Sequence, residues 1–171
     1  ELITQPFLDE FYETADAARA VRERLEALAR LLPWIATIDA FQHWLYTHPT
    51  HTRDERRTQW ESLVDRFGAA LDWSGLEDVR AVGWQRQLHL FAVPFYYIEY
   101  GIAQLGALGL WLQSKQDRGR ALANYRQAMS LGGSRPLPEL FRAAGLDFDF
   151  GPATIRRLMA AVQQELAALP A

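Results

Sequence analysis

Apolar residues recur three and four positions apart along nearly the whole chain, and strand-like alternation of apolar and polar residues is absent. That period belongs to helices packed by one face. Leu2 to Tyr12 reads as a short helix, with Leu2, Phe7, Leu8, Phe11 and Tyr12 apolar. Ala15 to Leu31 is strongly amphipathic, with Val21, Leu25 and Leu28 on one side and Thr14 and Asp16 as candidate caps. Pro33 suits a first helical position. It is read as opening a second helix, in which Trp34, Ile38, Phe41 and Leu45 keep the spacing until His48-Pro49 ends it. Thr52 and Glu55 form a capping-box pattern before a helix carrying Trp60, Leu63, Val64 and Phe67 up to Gly68. A turn at Asp72-Trp73-Ser74-Gly75 leads into Leu76 to Leu90. Lys115 to Leu131 is a helix closed by Gly132-Gly133, a natural C-cap, and Pro138 to Ala144 is a short one ending at Gly145. Asp147 to Gly151 is a loop, and Pro152 opens a last helix running to about Leu169.

The stretch from Pro94 to Ser114 departs from this pattern. It carries one formal charge, Glu99, and has no polar side when wound as a helix. A helix apolar all round is a buried post or a membrane span. Two Gln, three Tyr and Glu99 are costly in lipid, and no basic cluster flanks the stretch, so it is read as the buried central helix. Gly101, Gly106 and Gly109 lower its helix propensity, and close approach by neighbouring helices is their expected use. The expected fold is all-α, a multi-helix bundle forming a single helical domain over residues 1–171. No period of about 34 residues recurs, which argues against a solenoid.

Composition narrows the function without naming it. A 171-residue chain that is 49% hydrophobic and 12% aromatic has material for a real core. A net charge of −3 with interspersed signs gives no footprint for nucleic acid. The absence of Cys excludes disulfides and thiolate chemistry and suits a reducing compartment, so a cytoplasmic location is expected, with no membrane partner. No secretory signal pattern is present. The chain opens inside an apparent element, Glu-Leu-Ile-Thr-Gln-Pro, with no initiator Met, and is expected to be a piece of something longer.

The candidate chemistry gathers at His89, five residues before Pro94. Alone, a His in an apolar segment is a satisfied core residue, and Tyr96, Tyr97 and Tyr100 are ordinary core aromatics. Together they carry more. Tyr97 and Tyr100 sit three apart on one helix face, and a proline-bounded turn folds His89 back over the helix start. Three polar-tipped groups then converge, and buried Tyr hydroxyls need partners. His43, His48 and His51 lack metal-ligand spacing and flank a proline turn, so they read as a solvated loop. Asp147 and Asp149 lack a calcium-loop pattern. Gly132-Gly133-Ser134 is no phosphate loop. HExxH and a Ser-His-Asp elbow are absent, and taken alone the chain holds no complete catalytic constellation.

The segment His89-Leu-Phe-Ala-Val-Pro-Phe-Tyr-Tyr-Ile-Glu-Tyr100-Gly-Ile-Ala resembles the C-terminal signature of the oligoendopeptidase F group, within the thimet oligopeptidase family of zinc peptidases. Further similarity lies in the opening Glu-Leu-Ile-Thr-Gln-Pro, in Pro49-Thr-His-Thr-Arg-Asp-Glu-Arg56, and in Gly132-Gly-Ser134 followed by Pro138-Glu-Leu and Ala144-Gly-Leu-Asp147. These pieces occur in family order and cover essentially all of the chain. The resemblance implies a mostly helical zinc endopeptidase that cleaves short peptides in a deep channel. The family's zinc is held by the two His of HExxH and by a Glu on the next helix. A His and a Tyr of the C-terminal segment donate hydrogen bonds to the substrate backbone and the developing oxyanion. The angiotensin-converting enzyme group is similar in its His…Pro-Tyr-Ile-x-Tyr arrangement. By resemblance, Tyr100 is the oxyanion donor, His89 a substrate-backbone contact and Tyr97 a substrate-positioning residue. Tyr96 is a weaker substrate-binding candidate, turned away from the Tyr97–Tyr100 line.

The departure from the family is the missing HExxH and third-ligand Glu, both expected upstream of Glu1, which itself matches a second, non-ligand Glu of related sequences. No zinc ligand is assigned here, zinc is expected only in the complete enzyme, and this chain is expected to be inactive alone. A domain cut through its site exposes apolar surface, so self-association or a bound N-terminal part of the enzyme is expected besides an oligopeptide substrate. The alternative is a non-catalytic helical module that binds a peptide or protein. A third reading, a purely structural bundle, buries His89, Tyr97 and Tyr100 in apolar atoms with no cleft.

Overall fold

The computed structural model describes residues 2–170, and Glu1 lies outside the described residues. These residues form helices and turns, with no strand among them. A 3₁₀ segment, Leu2–Glu10, is followed by α1 (Thr14–Thr47), α2 (Arg53–Phe67) and α3 (Glu77–Ala81). A 3₁₀ turn, Gly83–Arg86, leads to α4 (His89–Ala92), and then come α5 (Ile98–Gln116), α6 (Arg118–Leu131), α7 (Leu137–Ala143) and α8 (Pro152–Ala168). The all-α expectation holds. The chain divides into two compact units, one made of the residues up to Ala29 with those from Ile102 onward, the other of Arg30–Gly101.

Pro33 does not begin a helix. α1 runs unbroken through it for 34 residues. A proline inside a helix forfeits one backbone hydrogen bond and its ring crowds the preceding turn. Here the apolar stripe keeps its spacing on both sides: Val21, Leu25, Leu28, Ile35, Ile38 and Phe41 are all buried. Burial along one continuous face outweighs the local cost. The Pro33 carbonyl in turn accepts the Thr37 hydroxyl at 2.9 Å.

The segment from Leu76 to Leu90, expected as one helix, is broken into α3, the 3₁₀ turn and α4. In a continuous helix the Arg80 carbonyl would accept the Trp84 N–H. Instead it accepts the indole Nε1–H of Trp60 at 2.8 Å. Trp60 is almost fully buried, and a Cβ added at Gly83 would lie 3.5 Å from its ring. This tertiary bond ends α3.

The central helix is also shorter and less buried than expected. It begins at Ile98, four residues after Pro94. Pro94 and Phe95 form a turn closed by the Tyr96 N–H on the Val93 carbonyl at 3.2 Å. Phe95 occupies its left-handed position at φ 61°, where a bulky residue is unusual. Ile98, Glu99 and Tyr100 are exposed, as are Ala103 and Ala107, whereas Leu108, Leu110 and Trp111 are buried. An apolar sequence says that burial is tolerable, but only the neighbouring elements determine which side is covered. The expected use of the glycines is seen at Gly106 and Gly109. A Cβ there would lie 2.9 Å from Phe141 and 2.9 Å from Leu146, respectively.

The local signals elsewhere fold as read. Thr52 and Glu55 complete the capping box, with Thr52 N–H on Glu55 Oε2 at 2.7 Å and Glu55 N–H on Thr52 Oγ1 at 3.2 Å. α6 starts at Arg118 rather than Lys115 because the Asp117 carboxylate caps it, accepting the Arg120 N–H at 3.0 Å. In the unit containing the termini, Gln113 of α5 donates to the Ala144 carbonyl at 3.2 Å, Lys115 pairs with Glu165 of α8, and Trp111 donates to Gln5 at 2.9 Å. In the other unit the core is Ile35, Ile38, Phe41, Trp60, Leu63, Leu90 and Tyr97. Trp34 and Phe41 meet the Trp60 ring edge-on at 5.8 and 5.2 Å.

Candidate functional site

The Arg30–Gly101 unit brings the predicted residues together. Its Trp60-imposed break supplies the first condition, because a new turn can then start near His89. The Gln87 N–H reaches back to the Trp84 carbonyl at 3.0 Å, closing the 3₁₀ turn. The Leu90 N–H donates to the Gln87 carbonyl at 3.1 Å, opening the next turn. α4 is a single turn that drives Leu90 into the core. The side chain one position earlier, His89, lies outside that core, half-buried.

The Pro94–Phe95 turn supplies the second condition by reversing the chain. The Phe95 ring lies 5.0 Å from His43 and 5.0 Å from Tyr46, both on α1. Glu99 N–H on the Tyr96 carbonyl at 3.0 Å and Tyr100 N–H on the Tyr97 carbonyl at 3.3 Å start the next helix. Gly101 lets α5 approach α1: a Cβ there would lie 3.3 Å from Ile35.

The outcome is a cluster of four rings. His89 lies edge-on to Tyr97 at 4.9 Å and to Tyr100 at 5.5 Å, and stacks on Tyr96 at 6.2 Å with planes 18° apart. Tyr97 and Tyr100 are 5.2 Å apart. His89 Nε2 lies 3.1 Å from the Tyr100 hydroxyl, a hydrogen bond between residues eleven apart in sequence. Tyr97 is 9% exposed and floors the cluster from the core, whereas Tyr100 is 40% exposed. The three polar-tipped groups therefore converge, and they do so on an exposed face.

Tyr96 departs from expectation. Wound as helix from Pro94, it turns away from the Tyr97–Tyr100 line. Because α5 starts only at Ile98, Tyr96 stays in the preceding turn and its ring meets Tyr100 at 5.7 Å. Gln87 is a residue that the sequence reading missed. Its side-chain Nε2 lies 2.8 Å from His89 Nδ1. The one sequence signal was a second polar residue two positions before His89.

Chemically, when an imidazole N–H donates to a phenol oxygen, the phenol O–H is left free to donate. Such a donor suits a carbonyl oxygen or an oxyanion. His43, His48 and His51 are engaged otherwise. His48 stacks on Trp44 at 4.9 Å and His51 lies 4.9 Å from the same ring. His43 Nδ1 lies 2.9 Å from the Asp39 carbonyl. Among the described residues no three His, Asp or Glu side chains gather closely enough to hold a metal ion. The described residues therefore do not fit a zinc site. No described helix is long and apolar enough to cross a membrane. An apolar cavity of about 530 Å³, lined among others by Ala103, Ala107, Leu110, Met129, Leu140 and Phe141, lies in the unit containing the termini and includes none of the four clustered rings.

Two solved structures are similar to this chain. A crystal structure reported as an oligoendopeptidase F is 32% identical, with a TM-score of 0.78 over 90% of this chain and 27% of its own. A structure of PZ peptidase A with an inhibitor is 29% identical, with a TM-score of 0.86 over 98% of this chain and 30% of its own. The chain thus spans less than a third of the length of either. No curated protein matches it. Residues 8–160 match the model of Peptidase family M3, a span that contains the entire ring cluster. The chain belongs to peptidase family M3.

Proposed function

We propose that these 171 residues are the substrate-facing C-terminal portion of one catalytic domain, in a zinc-dependent oligoendopeptidase that hydrolyses short peptides. The observation that carries this reading is the 3.1 Å pairing of His89 Nε2 with an exposed Tyr100 hydroxyl in a chain of this family. Tyr100 donates its proton to the oxygen of the scissile carbonyl as negative charge develops there. His89 is a substrate-backbone contact beside Tyr100. Tyr97 positions substrate through the two rings that it supports, and Tyr96 adds a further aromatic surface beside Tyr100.

Zinc, when bound in the complete enzyme, supplies the activated water of the hydrolysis. The described residues offer no site for it, so its ligands are assigned to sequence outside these 171 residues. The matched structures support this, each being more than three times as long as the matched segment. The chain alone is then inactive. Its exposed apolar residues, Phe11, Leu88, Phe91 and Met129 among them, are surface for the rest of the enzyme or for a second copy. The reading is tested by supplying the purified 171-residue chain with zinc and a quenched fluorescent peptide. No turnover is expected, and metal-dependent cleavage by the chain alone refutes the division of labour.

A further inference from the structure

We propose that Gln87 is a positioning residue of this site, holding His89 in the tautomer that carries its proton on Nε2. Two contacts in series carry the inference. Gln87 Nε2 lies 2.8 Å from His89 Nδ1, and His89 Nε2 lies 3.1 Å from the Tyr100 hydroxyl. An amide nitrogen is a donor only, so the Nδ1 facing it must be the acceptor. A neutral imidazole with a bare Nδ1 carries its proton on Nε2. That proton is then donated to the Tyr100 oxygen, and the phenol's own proton is left unused. With Tyr100 40% exposed, the unused proton is available to a ligand.

The opposite amide orientation has the opposite consequence. A Gln87 carbonyl oxygen against Nδ1 would fix the proton there, leave Nε2 as an acceptor and draw the Tyr100 proton inward. The one outward donor, the phenol O–H, would be lost. Gln87 is well placed to act as a fixed reference. Its N–H is bonded to Trp84 at 3.0 Å, its carbonyl to Leu90 at 3.1 Å, and Leu90 is buried in the core.

The functional consequence rests on the peptidase reading, but the tautomer does not. It is read directly from long-range ¹H–¹⁵N correlations of the imidazole rings in the ¹⁵N-labelled 171-residue chain, with His89 assigned by its absence in His89→Asn. The expected wild-type state is a neutral ring protonated on Nε2. Gln87→Leu should lose this single tautomer, and Gln87→Glu should move the proton to Nδ1 or charge the ring. A wild-type His89 protonated on Nδ1 overturns the proposal, even if neither variant folds. So does a Gln87→Leu chain that keeps a pure Nε2–H state. In the complete enzyme Gln87→Glu should lower kcat about 10-fold or more, with KM nearly unchanged. If the tautomer shifts as expected while both Gln87→Glu and Tyr100→Phe leave kcat intact, the peptidase role of Tyr100 fails and the Gln87 assignment stands.

Discussion

At the scale of single residues the site depends on two hydroxyl and ring edges that differ sharply in exposure. Tyr97 is sealed against the core, whereas Tyr100, three residues later, is 40% exposed. Replacing Tyr100 with Phe removes a hydroxyl from that exposed position and leaves the ring contacts to His89, Tyr96 and Tyr97 in place. In the complete enzyme this substitution is expected to cut kcat by about 10²–10³, with KM far less changed and the circular dichroism spectrum preserved. A variant with wild-type kcat removes Tyr100 from the chemistry. How much of this was legible follows from the residues themselves. His89, Tyr97 and Tyr100 announce themselves as polar tips in an apolar segment. Gln87 does not, because a glutamine in a turn looks like any solvated side chain until its partner is placed.

At the scale of elements, breaks and caps determine where these side chains point. The α3 break rests on one partly buried bond, Trp60 Nε1 to the Arg80 carbonyl. Trp60→Phe keeps most of the aromatic packing but removes the indole donor from that carbonyl. It should cost about 1–3 kcal/mol in denaturant unfolding, and it should also perturb the His89 resonances, since the 3₁₀ turn hangs from the break. Unchanged stability would mean that the bond is not what ends α3. The entry to α8 depends on a charge. Hydrogen bonds from the Thr154 hydroxyl and the Gly151 N–H hold the Asp149 carboxyl below the usual aspartate value. A carboxyl whose pKa is lower folded than unfolded stabilises the fold above its unfolded value. That contribution fades as pH falls through the folded one. Thermal midpoints measured from neutral pH to below pH ~4 should therefore fall less steeply for Asp149→Asn than for the wild type, with the variant less stable near neutrality. Parallel acid limbs in the two proteins would show that Asp149 contributes nothing to the entry of α8.

At the scale of the molecule, several large apolar side chains stand exposed among the described residues. Phe11 is 77% exposed and Leu88 69%. Scattered exposure is ordinary, and apolar side chains favour association where they form one contiguous patch; the proposed partner surface is tested on that ground. Sedimentation velocity across a concentration series should show a rising average mass that persists in high salt, because apolar association is not screened by ions. A single monomeric species at all concentrations would show that these residues need no partner. Family membership is likewise a property of the whole length, carried by residues 8–160 rather than by any one motif.

What the sequence determined by itself is local or periodic. The all-α class follows from spacing, the start of α2 from Thr52 and Glu55, the end of α6 from Gly132, and the entry to α8 from Pro152, each a signal within a few positions of the chain. What only the tertiary structure decided is where long-range contacts overrule those signals. A continuous buried stripe carries α1 through Pro33, and the indole of Trp60 cuts Leu76 to Leu90 into pieces. The late start of α5 frees Tyr96 to join the ring cluster. The physical reason is common to all three. A helix signal is worth tenths of a kilocalorie per residue, whereas one buried side chain or one satisfied buried carbonyl is worth about 1–3 kcal/mol, and its partner lies too far along the chain to be read from spacing.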